Sequence, residues 1–304
     1  MSRLYALIEA GGTKFVVAVA RSRDEILRVE RIPTTSPSTT LSQTIAFFQN
    51  AAAEFGAFDA AGIGCFGPVD LDPRSATWGC ITSTPKPGWN GVNVAGAIGA
   101  ALGCPVGFDT DVNGAALAEA RWGASQGTSV STYVTVGTGI GGGVVIEGQP
   151  LHGARHPEMG HVRPERHPRD HDFAGVCPFH GACLEGLASG PAIMARWGAT
   201  LSDLPEDHEA HEIVAFYLGQ LVVMQQAMLS PDRIVIGGGV LGAKRLLPRI
   251  RSAAAMLANG YFGVDRAGYD VLIRSPELGE RSGLLGGLVL AETALLVKAP
   301  LIPV

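Results

Sequence analysis

The 304-residue sequence predicts an α/β protein made of two related α/β domains facing each other, and three observations carry the prediction. Short apolar strands alternate with segments of helical period along the chain. Two glycine-rich turns, Glu9-Ala10-Gly11-Gly12-Thr13-Lys14 and Gly137-Thr138-Gly139-Ile140-Gly141-Gly142, fall one in each half, each between two strands. The composition, 46% hydrophobic and 17% charged, is that of a globular chain long enough for two cores. The 41 glycines cluster in a few loops, which suggests backbone approached closely by a ligand.

The net charge of −5, with scattered Lys and Arg, offers no basic stripe for nucleic acid. No apolar run reaches the roughly 18 residues that a membrane helix needs. The start, Met1 to Glu9, turns acidic without a cleavage signal, so a cytoplasmic location with reduced thiols is expected.

Taken in order, residues 4–8 and 15–20 are the strands of the first hairpin. A P-loop is excluded, because no helix follows the glycines and no Gly-Lys-Ser/Thr ends them. The turn amides can still cradle phosphate oxygens; an ordinary tight hairpin is the competing reading. Residues 41–55 have helical spacing, with Thr40 or Ser42 as cap. A strand at 61–66 leads into Gly67-Pro68-Val69-Asp70, then a proline-rich loop carrying Trp89. A small-residue helix at 94–102 is followed by a strand at 105–108, which delivers Asp109-Thr110-Asp111-Val112-Asn113 to a helix at 114–122. Amides at a helix start favour an ionised carboxylate, so Asp111 suits the task of taking a proton from a substrate hydroxyl. Capping of the helix by this residue is the alternative.

The second hairpin pairs residues 132–136 with 143–147. Its turn contains a G-x-G-x-x-G spacing, but Val144-Val145-Ile146 reads as strand where a dinucleotide fold opens a helix. Ser189-Gly190-Pro191 then caps a helix ending at Trp197, and residues 208–229 form an amphipathic helix with Ile213, Phe216, Leu221, Met224 and Met228 as core. A strand at 233–236 meets Gly237-Gly238-Gly239, then a helix at 244–257, where glycines admit a nucleotide. An edge strand at 271–273 and a closing helix at 286–296 complete the chain.

Between these halves stand His156-Pro157-Glu158-Met159-Gly160-His161 and Cys177-Pro178-Phe179-His180-Gly181-Ala182-Cys183-Leu184-Glu185. Thiolate and imidazole ligands closed by short loops suit a tetrahedral structural zinc. A disulfide, or two small buried thiols, is the alternative, weakened by the odd count of five cysteines. Glu158 and Glu185 lie within three residues of proposed ligands and suit the wall of a polar pocket; plain surface charge is the competing reading.

With these motifs in view, the chain resembles the ROK family of sugar kinases, within the actin/hexokinase-like superfamily, most of all its bacterial fructokinase branch. The resemblance implies two actin-like (ribonuclease H-like) ATPase domains with an interdomain cleft. It implies a domain at 1–118 with the closing segment 287–304 packed on it, and a second at 119–286 carrying the zinc loop 156–185. Glu9, Gly11, Gly12, Thr13 and Lys14 match the first phosphate motif, most members having Asp where Glu9 stands. Thr138 and Gly139 match the second phosphate motif, and Gly238 and Gly239 the adenosine motif. Asp111 matches the catalytic base. Gly67, Pro68, Asn113, Glu158, His161 and Glu185 fall at sugar-binding positions, and His161, Cys177, His180 and Cys183 at the zinc. Two departures stand out: Thr110 replaces the usual Asn, and His180 replaces a thiolate. The resemblance thus implies an ATP- and Mg²⁺-dependent hexose kinase with fructose preferred, structural Zn²⁺ and a homodimer, without nucleic acid or membrane. Mannokinase, glucokinase and N-acetylmannosamine kinase are alternatives within the family, and a non-catalytic sugar-responsive protein is one outside catalysis. An NAD-dependent dehydrogenase built on the Gly237 loop is a further rival.

Overall fold

The computed structural model describes residues 3–296, and the residues 297–304 of the expected closing segment lie outside them. In chain order the strands are β1 (Tyr5–Ala10), β2 (Lys14–Ala20), β3 (Ile26–Pro33), β4 (Ala60–Cys65), β5 (Val106–Thr110), β6 (Val130–Val136), β7 (Ile140–Ile146), β8 (Gln149–Pro150), β9 (Arg233–Gly237) and β10 (Ile273–Arg274). The helices are α1 (Pro37–Phe55), α2 (Val94–Leu102), α3 (Asp111–Trp122), α4 (Leu184–Ala188), α5 (Gly190–Trp197), α6 (Glu209–Leu229), α7 (Leu246–Ala258), α8 (Arg266–Leu272) and α9 (Ser282–Leu296).

These elements form two compact units. The first takes residues up to Ala118, the short segment His152–His156 and the chain from Glu280; the second takes Glu119–Leu151 and Pro157–Gly279. The boundaries differ from those drawn on the sequence at 152–156 and 280–286, for a local reason. His152 and His156 bond to Asp109 and to the Val69 amide, and Arg281 donates to the Arg23 carbonyl.

The first sheet has the order β3-β2-β1-β4-β5, and the second β10-β9-β6-β7-β8. In each, a hairpin supplies the first two strands (β1 with β2, β6 with β7), and further strands pair in parallel beside its first member. The equivalence is strand for strand, as the paired glycine turns anticipated. β4 is buried along its whole length, as expected of a parallel strand covered on both faces. One covering element is α9. A Cβ at Gly62 of β4 would stand 1.8 Å from the Gly287 carbonyl oxygen, and one at Gly107 of β5 2.1 Å from that of Leu290. Helix and sheet therefore meet backbone to backbone.

Three sequence expectations are corrected. α1 begins at Pro37, because Ser36 accepts from the Thr39 amide and proline suits the first helical turn. Residues 271–272 close α8, and only Ile273 and Arg274 pair with β9; Val271 is 58% exposed. Met228 is 68% exposed, and the buried side of α6 takes Gln225 and Gln226 in its place. Gln225 accepts from the Thr132 hydroxyl, and Gln226 from Tyr269, which satisfies them inside. α6 is long and apolar enough to cross a membrane, but 61% of its apolar window is buried in the second unit, where it is the core helix.

Candidate active site

The first glycine turn closes where β1 passes to β2, with the Gly11 amide donating to the Lys14 carbonyl at 3.0 Å. Thr13 and Lys14 are exposed at its tip. Gly12 has no atom within 4 Å of where a Cβ would be and no positive φ, and Gly137 and Gly239 in the other two glycine motifs share both properties. Neither packing nor backbone conformation asks for glycine at these positions. All three are open to close approach from outside.

Glu9, one residue before the end of β1, has its carboxyl group against α9, so that a Cβ on Gly283 would lie 2.4 Å from the Glu9 Cδ. Burial, then the charge of Asp111, raises the Glu9 carboxyl to about 7. Asp111 opens α3 and is raised to about 6 by burial, against the opposing pull of backbone amides. Its Oδ1 accepts from the Val112 amide at 2.9 Å. The competing reading of Asp111 as the helix cap meets a specific answer here. Thr110 caps α3, its hydroxyl accepting from the Asn113 amide at 3.0 Å. Thr110 is buried and committed to the helix.

Asn113 is 0% exposed and donates through Nδ2 to Asp109 Oδ1 at 2.7 Å, which leaves its Oδ1 buried without a partner. The structure thus places Asn113 beneath the surface. Two side chains that sequence reasoning passed over surround it: Asp109, and His152, whose Nε2 lies 2.9 Å from Asp109 Oδ2. The hydrogen bond to Asp109 raises the His152 imidazole. A third, His156, accepts through Nε2 from the Val69 amide at 3.1 Å, behind the cis Gly67–Pro68 peptide. His156 stood within the histidine-rich stretch, but spacing alone carried no sign of a partner 87 residues away. A cavity of about 640 Å³ is lined by residues of both 152–156 and the segment beginning at Val69, with Asp70, Asp72, Thr82 and Arg155 among its polar walls.

In the second unit the turn from Gly137 to Ile140 rests on the junction of α4 and α5. The Gly190 amide donates to the Gly137 carbonyl at 2.8 Å, and the Ile140 amide donates to Glu185 Oε2 at 2.9 Å. Gly238, at φ +94°, follows β9 with Val136 backbone only 2.4 Å from where its Cβ would be, a position closed to other residues. Gly239 beside it is exposed. The turn Met159–His161 packs on β7, since Gly142 leaves room for Met159 and Gly160 for the Ile140 carbonyl. His161 is thereby fixed, and Glu158, just before the turn, is exposed.

His161, Cys177, His180 and Cys183 converge, their ligand atoms all within 4.8 Å of one another. Their separations test the fit to zinc. Regular tetrahedral bonds require N···N near about 3.4 Å and S···N near about 3.6 Å. His180 Nδ1 lies 3.3 Å from His161 Nδ1, and three of the four S···N distances are 3.5, 3.7 and 3.8 Å. Burial pushes the Cys183 thiol up to about 11, and a bound dication reverses that by taking the thiolate. The donor set fits a closed zinc site with four protein ligands. All five cysteines are free thiols, so the disulfide alternative is not realised.

A profile of the ROK family matches residues 5–294. The chain belongs to the ROK family. Fructokinases of that likeness include one from Zymomonas mobilis, 50% identical over 295 residues, covering 96% of this chain and 97% of that one. Another, from Streptococcus mutans, is 42% identical over 295 residues, with 96% and 98% covered. Among solved structures the family is represented by a ROK hexokinase from Thermus thermophilus, with a TM-score of 0.76 at 28% identity over 95% of this chain and 98% of that one. The actin-like α/β fold of ROK kinases is therefore the fold of this chain.

Proposed function

We propose that this protein is an ATP-dependent fructokinase that transfers the γ-phosphoryl group to the 6-hydroxyl of D-fructose. The observation that carries the kinase reading is Asp111, a carboxylate at the start of α3, raised to about 6 by burial and relieved of capping by Thr110. A base poised near working pH, in a family of sugar kinases, suits removal of a hydroxyl proton. Fructose as acceptor is supported by the names of the relatives described above.

ATP would supply the phosphoryl group and Mg²⁺ would offset the charge of its phosphates, so the chain's own work is positioning and charge. In this reading Gly11, Gly12, Thr13 and Lys14 hold phosphate oxygens from the first unit, with Glu9 as an outer partner of the Mg²⁺. Thr138 and Gly139, with Gly238 and Gly239, serve the nucleotide from the second. Asp111 orients the attacking hydroxyl and takes its proton. Gly67, Pro68, Glu158, His161 and Glu185 sort hydroxyl positions by hydrogen bonding, where one unmatched buried group costs about 1–3 kcal/mol. Asn113 acts from beneath, through Asp109. His161 Nδ1, His180 Nδ1 and the two thiolates would hold zinc, whose role with four protein ligands would be structural. His161 Nε2 then remains for the sugar. A homodimer and a cytoplasmic location are carried over from the resemblance, and light scattering and cell fractionation test them.

The decisive experiment is a coupled ADP-release assay across fructose, mannose, glucose and N-acetylmannosamine, run on the wild type and on Asp111→Asn. Fructose should give the highest kcat/KM, and Asp111→Asn should lose about 10²–10⁴-fold in kcat while still binding sugar. Glucose exceeding fructose tenfold would overturn the substrate. A variant keeping a tenth of the turnover would overturn the base.

A further inference from the structure

The glycine turn of the second unit and the carboxylate of Glu185 are 45 residues apart in sequence, yet they share one hydrogen bond. Oε2 of Glu185 accepts from the buried amide of Ile140 at 2.9 Å. A Cβ on Gly139 would stand 2.6 Å from the same oxygen. A side chain at Gly139 would therefore displace the Glu185 carboxylate, whereas Gly137 has nothing within 4 Å. Among the described residues Oε1 of Glu185 makes no hydrogen bond, and the side chain is half-buried. One oxygen is thus committed to the turn and the other is left over.

We infer that Glu185 is shared by the two substrates: Oε2 sets the nucleotide turn and Oε1 takes a hydroxyl of the acceptor sugar, so that one carboxylate couples the two binding steps. This rests on the proposed function, in which the turn serves ATP and Glu185 serves the sugar. The carboxylate is planar, so fixing either oxygen fixes the other. A sugar hydroxyl on Oε1 orders the group that orders Ile140, and a nucleotide on the turn orders the group that receives the sugar. Linkage makes the effect mutual: each ligand tightens the other by the same factor. The hydroxyl also draws carboxylate charge away from the side where nucleotide phosphates would lie, which acts in the same direction. Glu185 is held on the first turn of α4, whose start is Cys183, so the metal loop sets where this shared group sits.

The test is equilibrium binding of a non-hydrolysable ATP analogue and of fructose, each alone and each in the presence of the other. Wild type should bind the analogue more tightly when fructose is present. Glu185→Gln keeps an amide oxygen for Ile140 and loses the charged acceptor. Its analogue affinity should stay within about threefold of wild type, while fructose affinity falls about tenfold. Glu185→Ala leaves the buried Ile140 amide unpaired and should weaken both ligands about tenfold. Gly139→Ala, a change in the nucleotide turn, should weaken fructose by displacing Oε2, whereas Glu158→Gln should weaken fructose alone. Melting temperatures of Glu185→Gln and Gly139→Ala near that of wild type exclude a general loss of fold. If wild type binds both ligands and Glu185→Ala keeps its analogue affinity, or Gly139→Ala keeps its fructose affinity, the shared role is wrong and the kinase reading stands. If wild type binds neither ligand, the kinase reading fails and this inference with it.

Discussion

Asp111 and Glu9 illustrate how much one neighbour decides at the scale of a residue. Both are carboxylates of the first unit held above their ordinary range, to about 6 and about 7, and Asp111 is a cause of the Glu9 shift. The pair is best treated as titrating together. A base must be ionised to act, so kcat/KM should rise with pH between about 6 and about 7 and level off above. Stability runs the other way. A carboxyl group whose folded value is raised binds more protons folded than unfolded. Its contribution is fully present below the unfolded value and is lost as pH rises through about 6 to about 7. The protein therefore gains activity over the window in which it loses stability. Glu9→Gln removes the like charge and should move the rising limb of the pH–rate profile to lower pH; a limb that stays put would show that Asp111 titrates alone. Asp111→Asn and Glu9→Gln should each melt higher than wild type at pH 8 and equal to it at pH 4. The sequence showed Asp111 at a strand-to-helix junction. Whether it or Thr110 capped the helix depended on which oxygen reached the Asn113 amide, and two adjacent candidates within one turn look alike in sequence.

Among the elements, the metal loop depends on a buried strut that spacing does not reveal. Asp170 Oδ2 receives Arg196 Nη1 at 2.6 Å and the Tyr217 hydroxyl at 2.6 Å, tying the stretch before Cys177 to α5 and α6. Arg196 also donates to the Leu187 carbonyl and lies 4.5 Å over the Phe173 ring. Desolvation lowers the Arg196 guanidinium even with Asp170 beside it. Removing one partner of such a pair strands the other charge in the interior, so Asp170→Ala should destabilise by about 3–5 kcal/mol, read from urea denaturation. A loss below about 1 kcal/mol, the range of surface pairs, would mean that the site is hydrated. For the loop itself, elemental analysis should find one zinc per chain. Cys177→Ser and Cys183→Ser should abolish it, while Cys65→Ser, Cys80→Ser and Cys104→Ser should not. Chelation should lower the melting temperature and weaken fructose, since site and fold form together. Through Glu185 it should weaken the ATP analogue as well, although the two glycine turns hold none of the metal ligands. The convergence of these four side chains was legible in part, because spacing and residue chemistry already suggested a closed metal site. Asp170 and Arg196 carry no sign of each other in the sequence, because only packing brings them together with Tyr217 of α6.

For the whole molecule, the repeated strand order of the two sheets gives glycine two separate uses. Gly62 lets α9 lie on the first sheet, with the Gly287 carbonyl in the way of any side chain. Gly12 stands in open space. Gly62→Ala must push backbone against backbone and should destabilise by about 3 kcal/mol or prevent folding. Gly12→Ala should leave the melting temperature unchanged and reduce affinity for the ATP analogue. If Gly12→Ala binds the analogue as wild type does, the first turn is an ordinary hairpin, the reading that competed with it from the start. Gly62 lies in β4 and Gly12 in the turn between β1 and β2 of the same sheet, and nothing in the sequence tells their uses apart.

The sequence by itself determined the α/β class, the doubled hairpin plan, the three glycine motifs, the Cys-His ligand set and the residue proposed as base. These are carried by local features: periodicity, turn composition and ligand spacing act over a few residues, and the motifs keep their order along the chain. The tertiary structure decided what depends on separations of tens to hundreds of residues. It gave the cap to Thr110, buried Asn113 under Asp109 and His152, and brought 152–156 back to the first unit. It also joined Glu185 to Ile140, and set α9 against Gly62. In each case a polar group that must find a hydrogen-bond partner, or a backbone that must be covered, takes whichever neighbour the fold supplies. That neighbour is identified only once distant parts of the chain are packed together.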